Sequence, residues 1–287
     1  MEAPNSNLDL LITSWLEEDI GRGDLTSAAI TKGKASAQWE AKEDGVFCGA
    51  DIIEKVFKKL DSEFILNFSL KDGEKFKAGQ KLLEIKGSAK ALVMAERTTL
   101  NIAMRLSGIA TTTAHLIYQL KGTKTKLVDT RKTTPGLRLL EKYAFRCGGG
   151  TNHRLGLDDA AMLKENHLAC SNGIKAAIKA IRLESPWPSK IIVEAETEEQ
   201  AKEGIIYGAD GILLDEFEPN LLKKLVPELR QLPININGVS KLNNSILEAS
   251  GVNPLDLKEY GLTGVDLIST SAPMTKSSWI DMSMRIY

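Results

Sequence analysis

Cysteine, histidine and aromatic residues are all scarce in this chain. Its three cysteines, Cys48, Cys147 and Cys170, are odd in number and widely spaced in 287 residues. That indicates neither a disulfide framework nor a zinc cluster, and a reducing cytoplasm is the plain expectation. Cys147 and Cys170 are expected to be inert packing residues. The three histidines, His115, His153 and His167, include no pair at the spacing of a helical metal site. No apolar run approaches the roughly 20 residues of a membrane span. The N-terminal stretch "MEAPNSNLDLLITSWLEED" lacks the basic flank and apolar core of a signal peptide. A formal net charge of −1 argues against a general nucleic-acid or membrane-surface binder, which would carry a basic excess. The phosphate loop G-x-x-x-x-G-K-S/T, the dinucleotide loop G-x-G-x-x-G after a strand and the hydrolase elbow G-x-S-x-G are all missing.

Against this neutral background one segment is dense in cations. Between Thr130 and Gly156 stand Arg131, Lys132, Arg138, Lys142, Arg146 and Arg154, with His153 beside them and Glu141 as the only acid. Such a patch implies an anionic partner. Few aromatics are interleaved with it, which weakens a single-strand stacking reading. Arg138 and Lys142 lie four apart on an expected helix after Pro135, so one helix face either lines a basic rim or is simply solvated.

The first third of the chain reads as a helix from an Asn7 cap to the glycines of "DIGRGD", then a small half-buried sheet ("ASAQWEA", "GVFCG", "FILNFSL", "KLLEIKG") with one helix, "GADIIEKVFKKL". Residues 90–121 are helix-compatible, with a break expected at Ser107-Gly108. Beyond them, short apolar runs alternate with helical stretches, the pattern of a parallel sheet with crossover helices. The runs end in Asp129, Lys164, Glu194, Asp215, Glu248 with Ser250, and Ser269. In a parallel barrel all these carboxyl ends emerge on one face, so the side chains would converge on one pocket. One side of it offers cations suited to carboxylates or phosphates. The other offers Glu194 and Asp215, suited to sugar hydroxyls or Mg²⁺. Gly148–Gly150 would let backbone approach a ligand. Glu194 and Glu196 share a strand face, and Glu194 is the expected ligand contact. Glu248 and His115 read as structural, and His167 is open between a structural and a supporting role.

The stretch "DTRKTTPGLRLLEKYAFRCGGGTNHRLGL" with "LKENH" resembles the quinolinate phosphoribosyltransferases, and "EEDIGRGDLTS", "AERTTLN", "IIVEAET", "ADGILLDEF", "EASG" and "TGVDLIS" extend the likeness almost end to end. The resemblance implies transfer of phosphoribose from 5-phosphoribosyl-1-pyrophosphate to quinolinate with Mg²⁺, releasing pyrophosphate and carbon dioxide and leaving nicotinate mononucleotide. It further implies that Arg131, His153, Arg154 and Lys164 bind the quinolinate carboxylates, joined by Arg97 from the partner subunit of a homodimer. Lys132 and Lys164 would face pyrophosphate. Glu194 and Asp215 would hold Mg²⁺ and the ribose hydroxyls, and Ser250, Gly251 and Ser269, Thr270 and Ser271 would cradle the 5-phosphate, with Lys276 facing it. The chain departs from the family pattern at Glu216, usually asparagine, at Val252 and Ser271, usually glycine, and at Lys276, usually histidine; the stretch Ile234–Asn244 also looks longer than usual.

The expected architecture is an α/β barrel of the type II phosphoribosyltransferase kind over residues 109–270. A smaller N-terminal α/β sandwich domain spans 1–108, with the tail 271–287 returning to it. Two alternatives stand beside this reading: a molybdenum-locus homologue with another substrate, and a non-catalytic binder of RNA or phosphorylated metabolites. The second leaves Glu194 and Asp215 unexplained.

Overall fold

A computed structural model describes residues 7–236 and 239–287. Along the chain run α1 (Leu8–Ile20), β1 (Lys34–Ala41), β2 (Gly45–Val46), α2 (Ala50–Leu60), β3 (Ile65–Phe68), β4 (Lys75–Phe76), β5 (Lys81–Ser88), α3 (Ala89–Gln119) and β6 (Lys126–Val128). There follow α4 (Arg138–Cys147), β7 (Ala161–Leu163), α5 (Glu165–Ala169), α6 (Ile174–Glu184), β8 (Ile191–Ala195), α7 (Glu198–Ile206), β9 (Gly211–Asp215) and α8 (Pro219–Gln231). Last come β10 (Ile234–Ile236), β11 (Val239–Lys241), β12 (Ile246–Ser250), α9 (Leu257–Gly261), β13 (Leu267–Ser269), α10 (Ala272–Lys276) and β14 (Met282–Ile286). Two units result. One takes in the chain as far as Ala114 with Thr133–Gly149 and Pro273–Tyr287; the other holds His115–Lys132 and Gly150–Ala272.

The first unit is built on an antiparallel sheet of order β14-β1-β5-β3. Strand β1 alternates, sending Ala37, Trp39 and Ala41 into the core, as a sheet with one covered face requires. The tail closes the edge, pairing Ala37 with Ile286 through to Ala41 with Met282. Helix α2 buries Ile52, Ile53, Val56 and Phe57 on one face, and Phe57 meets Phe64 edge-on with ring centroids 5.2 Å apart. Helix α1 stops at Gly21, as expected, but Asn7 sits at its start in a left-handed conformation (φ 63°) and makes no side-chain cap.

The expected break at Ser107-Gly108 does not occur: α3 runs unbroken for 31 residues. Gly108 is there for closeness rather than for a turn. A Cβ on it would lie 2.1 Å from the Ser278 carbonyl oxygen. Ser107 is buried and accepts the Cys48 amide at 3.1 Å. A boundary at 108 therefore falls inside a helix, and residues 109–114 and 133–149 group with the first unit rather than the barrel.

The second unit carries six parallel strands in the order β6-β13-β12-β9-β8-β7. Its central strands are buried almost throughout, with Ile191, Val193, Ile212, Leu214, Leu247 and Ala249 all inaccessible, as expected of a parallel sheet covered on both faces. Among the described residues the end strands β6 and β7 share no ladder, so the barrel is open at that seam; one bridge, Val128 to Thr151, lies beside β6. The extra length near residue 234 is a short antiparallel hairpin, Ile234 opposite Lys241, whose two turn residues lie outside the described residues.

Candidate active site

Asp129 at the end of β6 carries the first half of the site. Its carboxylate is fully buried and accepts the Asn152 side-chain amide at 2.5 Å and the His153 backbone amide at 2.8 Å. A buried carboxylate is tolerated only when so bonded. It ties the loop that carries Asn152, His153 and Arg154 to the strand that delivers Arg131 and Lys132. Around the rest of the barrel, β7 delivers Lys164, β8 Glu194, β9 Asp215, β12 Glu248 and Ser250, and β13 Ser269. All of these, with Arg131, Lys132, His153 and Arg154, line one cavity of about 300 Å³. Because both end strands reach the same cavity, the sheet curls into a barrel, and its carboxyl ends converge as the strand-end rule requires.

The electrostatics are divided. Burial lowers the affinity of Arg154 for its proton, and the neighbouring Arg131 adds to this by repulsion; two guanidiniums held together are matched by an anion. Arg154 keeps its orientation by donating to the Ala160 carbonyl at 2.9 Å. Opposite, burial pushes the Glu194 carboxyl above its ordinary range and Asp215 pushes it further, while the Lys164 ammonium pulls it down. Lys164 pairs directly with Glu194, so the two sides of the pocket meet there. Glu196, two residues on, is exposed and does not line the cavity.

His153, expected from the resemblance to bind a quinolinate carboxylate, lines the cavity and is also tied to the protein through both ring nitrogens. Its Nδ1 accepts the Arg154 backbone amide at 2.7 Å, and its Nε2 lies 3.1 Å from Glu248 Oε2. With Nδ1 accepting, the neutral ring carries its proton on Nε2 and donates it to Glu248. Glu248 itself is 3% exposed, and its second oxygen, Oε1, is buried without a hydrogen-bond partner in the protein. Read as structural from sequence, Glu248 is thus a wall of the pocket with an acceptor to offer. The signal was present: Glu248 and Ser250 are two apart on β12 and share a face.

At the expected phosphate end, Ser250 and Ser269 line the cavity. Gly251 follows in a left-handed conformation (φ 71°), facing Glu216, which is also left-handed (φ 59°); a Cβ at Gly251 would come within 2.7 Å of Glu216 Cγ. Thr270 is buried, and its hydroxyl accepts the Ala272 amide at 3.1 Å. Gly251, Thr270 and Ser271 adjoin the lining serines but are not themselves in the lining. Arg97, exposed on α3 beside Glu18 and Asp19, and Lys276, exposed on α10, belong to the first unit.

The cation-rich segment divides accordingly. Arg131, Lys132, His153 and Arg154 enter the pocket, whereas Arg138, Lys142 and Arg146 lie in the first unit. Lys142 is 1% exposed, so it lines no basic rim. Glu141, the lone acid, is buried against Arg105 at 2.7 Å and caps Thr134.

A larger cavity of about 720 Å³ opens towards the amino ends of the strands. Its walls include Ile192, Ile212, Ile246 and Leu267; of its two acids, Asp210 is already held by Arg182, Lys190 and the Ile191 amide, and Glu248, with His153, lines both cavities. The smaller cavity, with opposed charges on strand carboxyl ends, is the one equipped for chemistry.

Comparison with known proteins agrees with this geometry. The family model described as quinolinate phosphoribosyl transferase, N-terminal domain, matches residues 24–107, and the corresponding C-terminal domain matches 109–285. A probable carboxylating nicotinate-nucleotide pyrophosphorylase of Bacillus subtilis is 41% identical over 282 residues, covering 97% of this chain and 93% of the relative. One from Synechocystis is 39% identical over 281 residues, covering 97% and 92%. The solved nicotinate-nucleotide pyrophosphorylase of Francisella tularensis superposes with a TM-score of 0.91 at 34% identity, covering 100% of this chain and 98% of that one. Matched across both of its domains and at this level of identity, the chain belongs to the quinolinate phosphoribosyltransferase family.

Proposed function

We propose that this enzyme transfers phosphoribose from 5-phosphoribosyl-1-pyrophosphate to quinolinate with decarboxylation, giving nicotinate mononucleotide for NAD synthesis. The observation that carries the reading is the single cavity in which Arg131, Lys132, Arg154 and Lys164 oppose Glu194 and Asp215. Quinolinate is a pyridine dianion and calls for the guanidiniums; the donor brings phosphates, ribose hydroxyls and a metal requirement, and calls for both signs at once.

Arg131 and Arg154 clamp the two carboxylates through charge-assisted bonds, and His153, held by Glu248, sets the position of Arg154. Lys132 and Lys164 face the departing pyrophosphate. Glu194 and Asp215 hold the ribose hydroxyls and provide the oxygen donors for Mg²⁺; the raised Glu194 carboxyl, buried and repelled by Asp215, fits a pair that gains from a bound cation. Mg²⁺ supplies neutralisation of pyrophosphate charge when bound. The same carboxylates tolerate the positive charge that develops at the anomeric carbon. The quinolinate ring nitrogen is already a nucleophile, so no general base is needed. Once alkylated, the cationic ring accepts the electron pair released as carbon dioxide departs. Ser250, Gly251, Ser269, Thr270 and Ser271 receive the 5-phosphate.

We further assign Arg97 to the pocket of a second copy in a cytoplasmic homodimer; among the described residues no helix is long and apolar enough to cross a membrane. An RNA-binding reading is disfavoured because Glu194, Asp215 and Glu248 share the cavity with the cations and would repel a polyanionic backbone. The test is turnover of purified protein with quinolinate, the phosphoribosyl donor and Mg²⁺, with nicotinate run in parallel. Nicotinate mononucleotide is expected from quinolinate alone. Folded protein that binds the donor yet makes no product would refute the quinolinate assignment.

A further inference from the structure

Two cysteines that stand 99 residues apart in sequence meet in the first unit. The Sγ atoms of Cys48 and Cys147 and a carboxylate oxygen of Asp72 all lie within 4.8 Å of one another. Cys48 is wholly buried between β2 and α2, with its amide on the Ser107 hydroxyl, whereas Cys147, the last residue of α4, is half-buried. Sequence spacing gave no hint of the pairing.

The two thiols are not equivalent. Burial pushes the Cys48 thiol up, and its hydrogen bond to Cys147 pushes it further. The same bond lowers Cys147, with burial acting against it. Tyr143, one turn earlier on α4, donates its hydroxyl proton to Asp72 Oδ2 at 2.5 Å, and the Asp72 carboxylate acts with burial against ionisation of Cys147 without reversing the net lowering. A proton donor buried behind a partly accessible, thiolate-prone sulfur is the arrangement of an attacking and a resolving thiol.

A metal suits the cluster less well. Asp72 Oδ1 already accepts the Gly49 and Ala50 amides, each at 3.0 Å, where it caps α2, and Oδ2 takes the tyrosine. Among the described residues the cluster offers three ligands, where a structural zinc takes about four.

We propose that Cys48 and Cys147 form a reversible dithiol–disulfide pair that reacts with hydroperoxides and protects Cys147 from irreversible oxidation. The Cys147 thiolate attacks a peroxide oxygen, so an S–O bond forms, the O–O bond breaks and the hydroperoxide leaves as an alcohol or water after taking up a proton. The resulting sulfenic acid is then attacked by the Cys48 sulfur. The S–S bond forms, the S–O bond breaks, and the hydroxyl leaves as water with the Cys48 proton. In sum two thiols lose two electrons and two protons to one hydroperoxide. Cys170 is exposed and is not a member of the cluster.

The test is treatment of the reduced full-length protein with hydrogen peroxide, followed by non-reducing peptide mapping by mass spectrometry. The expected result is a linked peptide pair containing Cys48 and Cys147 that dithiothreitol separates. In Cys48→Ser and Cys48→Ala, either of which suffices if folded, Cys147 is expected to advance to sulfinic acid that dithiothreitol does not reverse, whereas Cys170→Ser leaves the linkage unchanged. Wild-type protein yielding no linked pair while Cys170 oxidises would overturn the proposal. So would an equivalent of zinc retained through dialysis that prevents oxidation, since the cluster would then be a metal site.

Discussion

Glu194→Gln separates what the pocket does for the fold from what it does for chemistry. The side chain is 8% exposed, and its carboxyl is held above the ordinary range by burial first and by Asp215, despite the opposing pull of Lys164. The sign follows directly. A carboxyl whose native pKa is raised binds its proton more readily in the folded than in the unfolded state, so stability falls as pH rises from the ordinary carboxylate range through the raised native value. At neutral pH the ionised Glu194 is therefore a net cost to the fold. Glutamine keeps the shape and removes the charge, so Glu194→Gln is expected to equal or exceed wild type at pH 7. The difference should shrink as the pH is lowered towards the ordinary range.

Catalysis should move the other way. Glutamine cannot offer the charged oxygen that the ribose hydroxyls and Mg²⁺ are proposed to use. A hydrogen bond to a charged group contributes about 1.5–3 kcal/mol, which at ~1.4 kcal/mol per decade is roughly a ten- to hundredfold fall in kcat/KM. Urea denaturation at several pH values, set beside turnover of quinolinate, measures both. A variant that loses more than about 1 kcal/mol at pH 7 while retaining full turnover would refute the reasoning on both counts.

Further expectations follow from single contacts. Glu248→Ala leaves the His153 Nε2–H without its acceptor and should cost about 1–3 kcal/mol by denaturation, with a raised KM for quinolinate as Arg154 loses its guide; Glu248→Gln, which keeps an acceptor, should restore most of both. Gly108→Ala forces a Cβ to 2.1 Å from the Ser278 carbonyl oxygen, backbone against backbone, and should lower stability by at least about 1–3 kcal/mol, read as a drop in melting temperature. Glu216→Asn replaces a left-handed glutamate (φ 59°) by the residue type that best tolerates that conformation and should gain roughly 0.5–1 kcal/mol in urea. Arg97→Ala and Lys164→Ala should each be inactive alone and regain part of the activity when refolded together, if Arg97 acts across a dimer; a mixture with no recovery would remove Arg97 from the second copy's pocket.

The barrel was legible because its strands are short apolar runs that end in charge. Lys164, Glu194, Asp215, Ser250 and Ser269 could be named from that pattern, since period-two alternation and a common carboxyl face leave little freedom once the strands are assigned. What stayed hidden was set by contacts between distant segments. Gly108 reads as a helix breaker, and only the Ser278 backbone, 170 residues on, explains it. Cys48 and Cys147 look unrelated until β2 and α4 bring them together. The resemblance implies a substrate role for His153, but only the fold shows that its ring nitrogens are engaged by Arg154 and Glu248. A sequence shows that a side chain can donate; it does not show where the donation goes.

The same distinction explains the cation-rich segment. Seven basic side chains in one run suggested one surface, yet the chain divides them at Thr133 and again after Gly149. Those between the cuts include a lysine that is 1% exposed and an arginine set over the Tyr143 ring at 5.7 Å, both part of how α4 packs. Gly148 shows the tightness of that packing, because a Cβ there would meet the Ala110 carbonyl at 2.4 Å and the Thr113 Cβ at 2.6 Å. The cations outside the cuts are the ones that Asp129 holds in register with the strand ends. Asp129 is therefore the residue on which the anion side of the pocket depends, although it is buried and accepts from the Asn152 and His153 amides of the protein itself. Asp129→Asn puts an amide group where two donors already point and should leave one of them unmet, costing about 1–3 kcal/mol. Its effect on quinolinate should exceed its effect on the phosphoribosyl donor, since Arg154 moves while Glu194 and Asp215 stay. Equal losses for both substrates, measured as KM at fixed saturation of the other, would mean that Asp129 supports the barrel as a whole rather than the carboxylate clamp.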